Sequence, residues 1–196
     1  SVVLVTTNPL FVGLISHFFL QEHMTRRVFS GMLIAIIGSA IIGLGDLGEG
    51  THHLIGDLLA LAGAIAIAVH MLLGRRLRKH LSLLGYVFPV YATAAFVLMA
   101  LTLVTGTKAA GYPSTAWLWL ILVAVIPQII GHSSFNWALG HLPATYVALA
   151  VLAEPIGSSI LAWLILHEPP APVTVVGGAL ILAGIGIAVR PNRQGR

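Results

Sequence analysis

The sequence predicts an all-α fold, a polytopic bundle of membrane-spanning helices, and three observations predict it. Hydrophobic residues make up 58% of the chain and charged residues 8%, where a water-soluble domain carries roughly 25% charge. Seven apolar windows are long enough to cross a bilayer, which takes roughly 17 to 25 residues. All charged residues but Asp57 and Glu154 fall outside those windows. The mean hydropathy is +0.98.

The windows run in order over residues 1–20, 28–44, 55–74, 82–105, 116–138, 144–166 and 173–189. The first opens the chain at Ser1, already apolar and without a basic leader, and stops at "QEHMTRR". The second begins after Arg26 and Arg27 and stops at the glycine- and acid-rich "GDLGEGTHH"; the third ends in the basic "RRLRKH". "TGTKAAGYPS" separates the fourth from the fifth, with Tyr112, Trp117 and Trp119 where an aromatic belt would lie. "GHLPA" and "HEPPAP" bound the sixth, and the tail "RPNRQGR" closes the seventh.

Charge orients these spans. The side reached after spans one, three, five and seven holds Arg26, Arg27, Arg75, Arg76, Arg78, Lys79, Arg190, Arg193 and Arg196, while the other holds Lys108. Basic residues favour the cytoplasmic side, so the C-terminus is expected inside, in a bacterial-type inner membrane. The formal net charge of +4 is accounted for by these short clusters, and no nucleic-acid partner is expected. Cysteine is absent, which excludes a disulfide framework and thiolate metal sites.

Residues 1–44 lie over 147–190 without a gap. Pro9 meets Pro155, Leu20 meets Leu166, Glu22 meets Glu168, Gly31 meets Gly177 and Gly38 meets Gly184, with Val5 over Val151 and Ile41 over Ile187. Spans one and two are thus echoed by spans six and seven. A separation of five spans is odd, so the copies cross the membrane in opposite directions, as in the inverted repeats of many secondary transporters. A five-span unit leaves the second copy complete and three spans missing ahead of the first, so the chain is expected to begin partway through a larger protein.

The stretch "FNWALGHLPATYVALAVLAEPIGSSILAWLILHEPPAPVTVVGGALILAGIGIAV" resembles the end of an EamA-type domain of the drug/metabolite transporter superfamily, and "TTNPLFVGLISHFFLQEHMTRRVFSGMLIAIIGSAIIG" resembles the end of the preceding one. Leu-Ala-Glu-Pro at 152–155, Leu-His-Glu at 166–168 and the pair Gly177 and Gly184 carry most of it. The resemblance implies ten spans in two halves and secondary carriage, often export, of amino acids or other small metabolites. Residues 1–50 would then end a first repeat and 51–196 form a complete second one. A small-molecule substrate, the bilayer and the missing N-terminal spans are the expected partners, with a homodimer left open and neither cofactor nor metal expected.

Glu154 is the candidate that chemistry singles out. It lies about ten residues into span six, roughly 15 Å deep at 1.5 Å per residue, near the middle of the hydrocarbon. A charge there costs about 2.5–3.5 kcal/mol on insertion scales, so it must meet a partner or a wet cavity. Pro155 beside it removes a backbone hydrogen bond and frees the Val151 carbonyl. Two readings stay open: a substrate or proton site, or a structural carboxylate bonded to a neighbouring helix. Asn8 and Pro9 occupy the matching place in span one. In span five, Gln128, His132 and Asn136 recur every four residues and are expected to share one helix face lining a cavity. Pro89 and Pro127 interrupt spans four and five as further helix breaks. His70 and His17 fit close-packed faces better than a site.

Other features read as structural. Gly31, Ala35, Ser39 and Gly43 form a small-residue seam on span two, and Gly38, Gly177 and Gly184 belong to the matched copies. Glu22 and Glu168 are expected to cap the helices that follow them. An enzyme is disfavoured: "GHSSFN" at 131–136 lacks the second glycine of a serine-nucleophile motif, His167-Glu168 lacks the second histidine of the zinc-protease pattern, and Gly106-Thr107-Lys108 lacks the upstream glycine of a phosphate loop. A membrane scaffold without transport remains the rival class, one that needs no polar groups at mid-depth.

Overall fold

The computed structural model describes residues 8–22, 24–45, 54–108 and 110–190. Within these the chain is helical: α1 Asn8–Phe19, α2 Arg26–Gly45, α3 Leu54–Leu77, α4 Leu83–Thr105, α5 Ser114–Val123, a π-helical segment Ala124–His132, α6 Ser133–Ala138, α7 Ala144–Val151, α8 Glu154–Leu161, a second π-helical segment Ala162–Leu166, and α9 Pro172–Val189. Six helical stretches, each overlapping one of the predicted second to seventh spans, are long and apolar enough to cross a membrane. The predicted first span is described over Asn8–Phe19 alone; its remainder, Val5, the loop 46–53, Arg193 and Arg196 lie outside the described residues.

The apolar surface identifies the solvent. Of the stretch Ser114–Ala138, whose mean hydropathy is 1.8, Asn136 alone is buried inside the protein. Helices apolar all round need either a large core or lipid around them, and Phe88, Val104, Trp119 and Ile130 are all exposed. Lipid is the environment that tolerates such a face.

The helices group into two compact units. One comprises 1–73 with 142–196, the other 74–141. In the first, α2 packs along α9, and α7 and α8 also touch α9. Val28, Met32, Ala35, Leu149, Leu152 and Ile181 are buried together there. The α2–α9 crossing is so close that side chains are excluded from it. A Cβ at Gly38 would stand 2.5 Å from the Gly177 carbonyl oxygen and 2.9 Å from Ile181 N, and one at Gly177 would stand 2.5 Å from the Gly38 carbonyl. Gly31 and Gly184 face each other in the same way. Since 146 residues separate Gly31 from Gly177 and Gly38 from Gly184, the crossing maps onto itself when the two copies are exchanged. The closest contacts run through Gly31, Ala35, Gly38 and Ile42, and Ser39 and Gly43 of the predicted seam are buried as well.

The second unit is framed by caps. Ser82 Oγ accepts from Gly85 N at 3.1 Å to start α4, and Gly106, at φ 64°, ends it. Arg75 donates to the Leu139 carbonyl at 3.0 Å, and Arg78 Nε donates to the Asn136 carbonyl at 3.1 Å while Nη1 reaches the Leu81 carbonyl. These cations satisfy carbonyls at the end of α6, where a helix dipole favours positive charge. The basic cluster at 75–79 therefore does more than orient the chain.

Candidate functional site

Span six is discontinuous at mid-length. α7 stops at Val151, Leu152 and Ala153 turn with short-range bonds from Leu152 N to Leu149 O (3.2 Å) and from Ala153 N to Ala150 O (3.0 Å), and α8 starts at Glu154. The expected proline opening is thus a local turn, in which Leu152 and Ala153 keep right-handed helical angles while three-residue hydrogen bonds replace the usual four-residue ones. Pro155 sits in the first turn of α8, where a missing N–H costs nothing. Glu154 stands exposed at the head of this half-helix, where the N-terminal amides concentrate positive potential.

Asn8 and Pro9 are the first described residues of α1, and Glu154 and Pro155, which open α8, follow them by 146 residues. Asn8 and Pro9 are buried, and Asn8 Oδ1 has no hydrogen-bond partner among the described residues. An orphaned buried acceptor costs about 1–3 kcal/mol. The register of α1 against α7 follows from a buried bond between Ser16 Oγ and Thr145 Oγ1 at 3.1 Å. Leu10 packs on the cluster that contains Leu149 and Leu152, so the two helices run antiparallel. Eight residues back from Ser16 and eight forward from Thr145, Asn8 stands level with the break at 152–153. The matched polar residues of the two copies therefore share one depth.

In the other unit the stripe divides. Residues 124–132 are π-helical around Pro127, whose ring and missing N–H disfavour the ordinary i−4 bond. Four-residue spacing no longer keeps one face there: Gln128 and His132 are exposed, while Asn136 on α6 is buried. The expectation of a single lining face is corrected accordingly. Asn136 Nδ2 donates to Tyr91 Oη at 3.4 Å, and the Tyr91 hydroxyl also reaches Ser133 Oγ at 3.2 Å and the Gln128 carbonyl at 3.4 Å. Tyr91 is the residue that the sequence pattern missed, because a tyrosine inside an apolar run reads as packing. Pro89 lies within α4, two residues before it.

The acid Glu22 also has a role different from the expected one. Its Oε2 accepts from Ala144 N at 3.2 Å, capping α7, which lies 122 residues further along the chain. His17 Nδ1 is 3.3 Å from the Glu22 carbonyl oxygen. Among the described residues no group of three or more His, Cys, Asp or Glu is placed to hold a metal.

Six apolar helical stretches with exposed apolar faces define an integral, multi-pass, α-helical membrane protein. The profile of the EamA-like transporter family matches residues 54–190, and the chain belongs to that family. Named relatives are transporters, not enzymes. "Uncharacterized transporter YetK" of Bacillus subtilis is 26% identical over 199 residues, covering 99% of this chain and 60% of that protein. "Probable terminal-alkyne amino-acid exporter" of Streptantibioticus cattleyicolor is 28% identical over 185 residues, covering 93% and 61%. "Pseudopaline exporter CntI" of Pseudomonas aeruginosa is 26% identical over 197 residues, covering 98% and 66%. A solved crystal structure at 21% identity superposes with a TM-score of 0.80 over 95% of this chain and 64% of its own, which shows the fold. The chain thus spans about 60% of the length of the first of these relatives.

Proposed function

We propose that this chain is the larger part of a secondary-active carrier that exports a small metabolite of amino-acid type by alternating access. The observation that carries the proposal is the pair formed by Asn8 Oδ1, buried without a partner among the described residues, and Glu154 at the start of α8, level with it in the antiparallel register of α1 and α7. Broken spans whose half-helices begin at the midplane are where inverted-repeat carriers hold substrate. Asn8 Oδ1 accepts an N–H from the substrate's amino group, Glu154 balances the charge, and the N-terminus of α8 attracts a carboxylate. When substrate leaves, a proton takes its place on Glu154, which couples export to the proton gradient.

The exporter names of two relatives support the direction and the substrate class. In this reading three further spans precede residue 1, the C-terminus faces the cytoplasm, and Gln128 and His132 are additional candidate hydrogen-bonding residues. A metabolite-export screen of cells carrying the full-length protein identifies the substrate. With that substrate, Asn8→Ala raises KM about tenfold, the loss expected when one buried hydrogen bond of roughly 1–1.5 kcal/mol is removed. An unchanged KM places the substrate elsewhere.

A further inference from the structure

The helical unit formed by residues 74–141 carries Arg75, Arg76, Arg78, Lys79 and Lys108 and contains neither aspartate nor glutamate. Its cations therefore have no carboxylate of their own unit to pair with. All but Lys108 sit together at the turn from α3 into α4, and the structure divides them by register. Arg75 and Arg78, three residues apart, are half-buried and direct donors to the carbonyls of Leu139, Asn136 and Leu81. Arg76 and Lys79, each one position further on, are exposed and make no hydrogen bond or ion pair among the described residues. His80 is exposed beside them.

The turn beneath the outer pair is tightly bonded. Arg78 N donates to Gly74 O at 2.8 Å, and His80 N and Leu81 N both return to Leu77 O, at 3.0 and 2.9 Å. With two guanidinium groups tied to carbonyls as well, the backbone under Arg76 and Lys79 is fixed before a ligand arrives, which lowers the ordering cost of binding. Apolar side chains stand exposed next to this charge. Leu77 and Leu81, joined by one of those bonds, are each 43% exposed, and Leu84 and Phe88, one turn apart on α4, are 75% and 76% exposed. An arginine fork and a lysine ammonium suit a phosphate, and the apolar chains suit hydrocarbon. We propose that the turn from α3 into α4 binds an anionic phospholipid, its phosphate between Arg76 and Lys79 and its acyl chains along Leu77, Leu81, Leu84 and Phe88. Free phosphate would leave the apolar side chains without a role. The site uses neither Asn8 nor Glu154, so it stands whether or not the protein is a carrier.

Native mass spectrometry of the full-length protein, in detergent micelles holding equal amounts of phosphatidylglycerol and phosphatidylcholine, reads the preference directly. The unsubstituted protein retains phosphatidylglycerol over phosphatidylcholine. Arg76→Gln and Lys79→Gln each weaken phosphatidylglycerol binding about fivefold, the factor for one basic residue near an anionic surface, and the double variant weakens it roughly 25-fold. Arg76→Lys keeps the charge and retains most of the binding. Both side chains are exposed, so the variants keep the parental melting curve. Lys108→Gln, beyond the other end of α4, leaves lipid binding unchanged. Equal retention of the two lipids, or unchanged phosphatidylglycerol binding in the folded double variant, overturns the site. A similar loss in Lys108→Gln makes the effect one of net charge and overturns it too. Displacement of the lipid by millimolar inorganic phosphate assigns the cations to a free anion and rejects the phospholipid.

Discussion

Gly184→Ala adds one methyl group where two backbones meet. The new Cβ would lie 2.6 Å from Ala35 N and 2.9 Å from Ala35 Cβ, besides its clash with the Gly31 carbonyl. Carbon atoms settle at about 3.5–4.0 Å, so the helices must part by about 1 Å, which forfeits roughly a quarter to a half of each dispersion contact along the seam. Overpacking of this kind costs about 1–3 kcal/mol, with the upper end expected here because backbone atoms have no rotamer into which to retreat. Ala recovers about 1 kcal/mol of helix propensity over Gly. The net expectation is a loss of about 2 kcal/mol. Gly186 supplies the control within the same helix, since an added Cβ there meets nothing within 4 Å. Thermal unfolding in detergent should show Gly184→Ala melting several degrees below the parent and Gly186→Ala at or above it. Equal melting of the two variants would refute the close crossing.

Two other outcomes follow from the second unit. Tyr91→Phe removes the hydroxyl shared by Asn136 and Ser133 and leaves a buried amide short of a partner, so unfolding stability falls by about 1 kcal/mol; an unchanged melting curve would show that the network is idle. Cysteines introduced at His80 and Ser114, which flank α4 and the loop after it, should react with an impermeant thiol reagent from opposite sides, Ser114 from outside; labelling from one side rejects the orientation.

Much of this architecture was legible because lipid imposes long apolar windows, and α2 to α9 overlap them. The repeat was legible through rare residues: Gly31, Gly38, Gly177 and Gly184 cannot be exchanged where backbones touch, so the shared register survives at those positions. Glu154 was conspicuous as a charge in hydrocarbon. The left-handed backbone of Gln21 (φ 53°) and His167 (φ 57°) was invisible, since neither side chain signals it as glycine would. The partner of Glu22 was equally hidden, because Ala144 N belongs to the backbone of a distant helix. The π-helical turn around Pro127 altered which face Gln128 and His132 present, and proline alone announces a disturbance without its form. Arg75 and Arg78 read only as topology signals because helix-end carbonyls leave no mark in the pattern.

The carrier account stands most directly on Glu154. In the full-length protein reconstituted in proteoliposomes, Glu154→Gln keeps the size, the polarity and the head-of-helix position of the side chain but cannot release a proton. Substrate flux driven by an imposed pH gradient is the measurement to make. The account predicts a folded variant whose pH-driven net flux is abolished, whereas Glu168→Gln retains it at reduced stability. A Glu154→Gln protein that transports at the parental rate with parental pH dependence would contradict it and leave Glu154 a structural carboxylate.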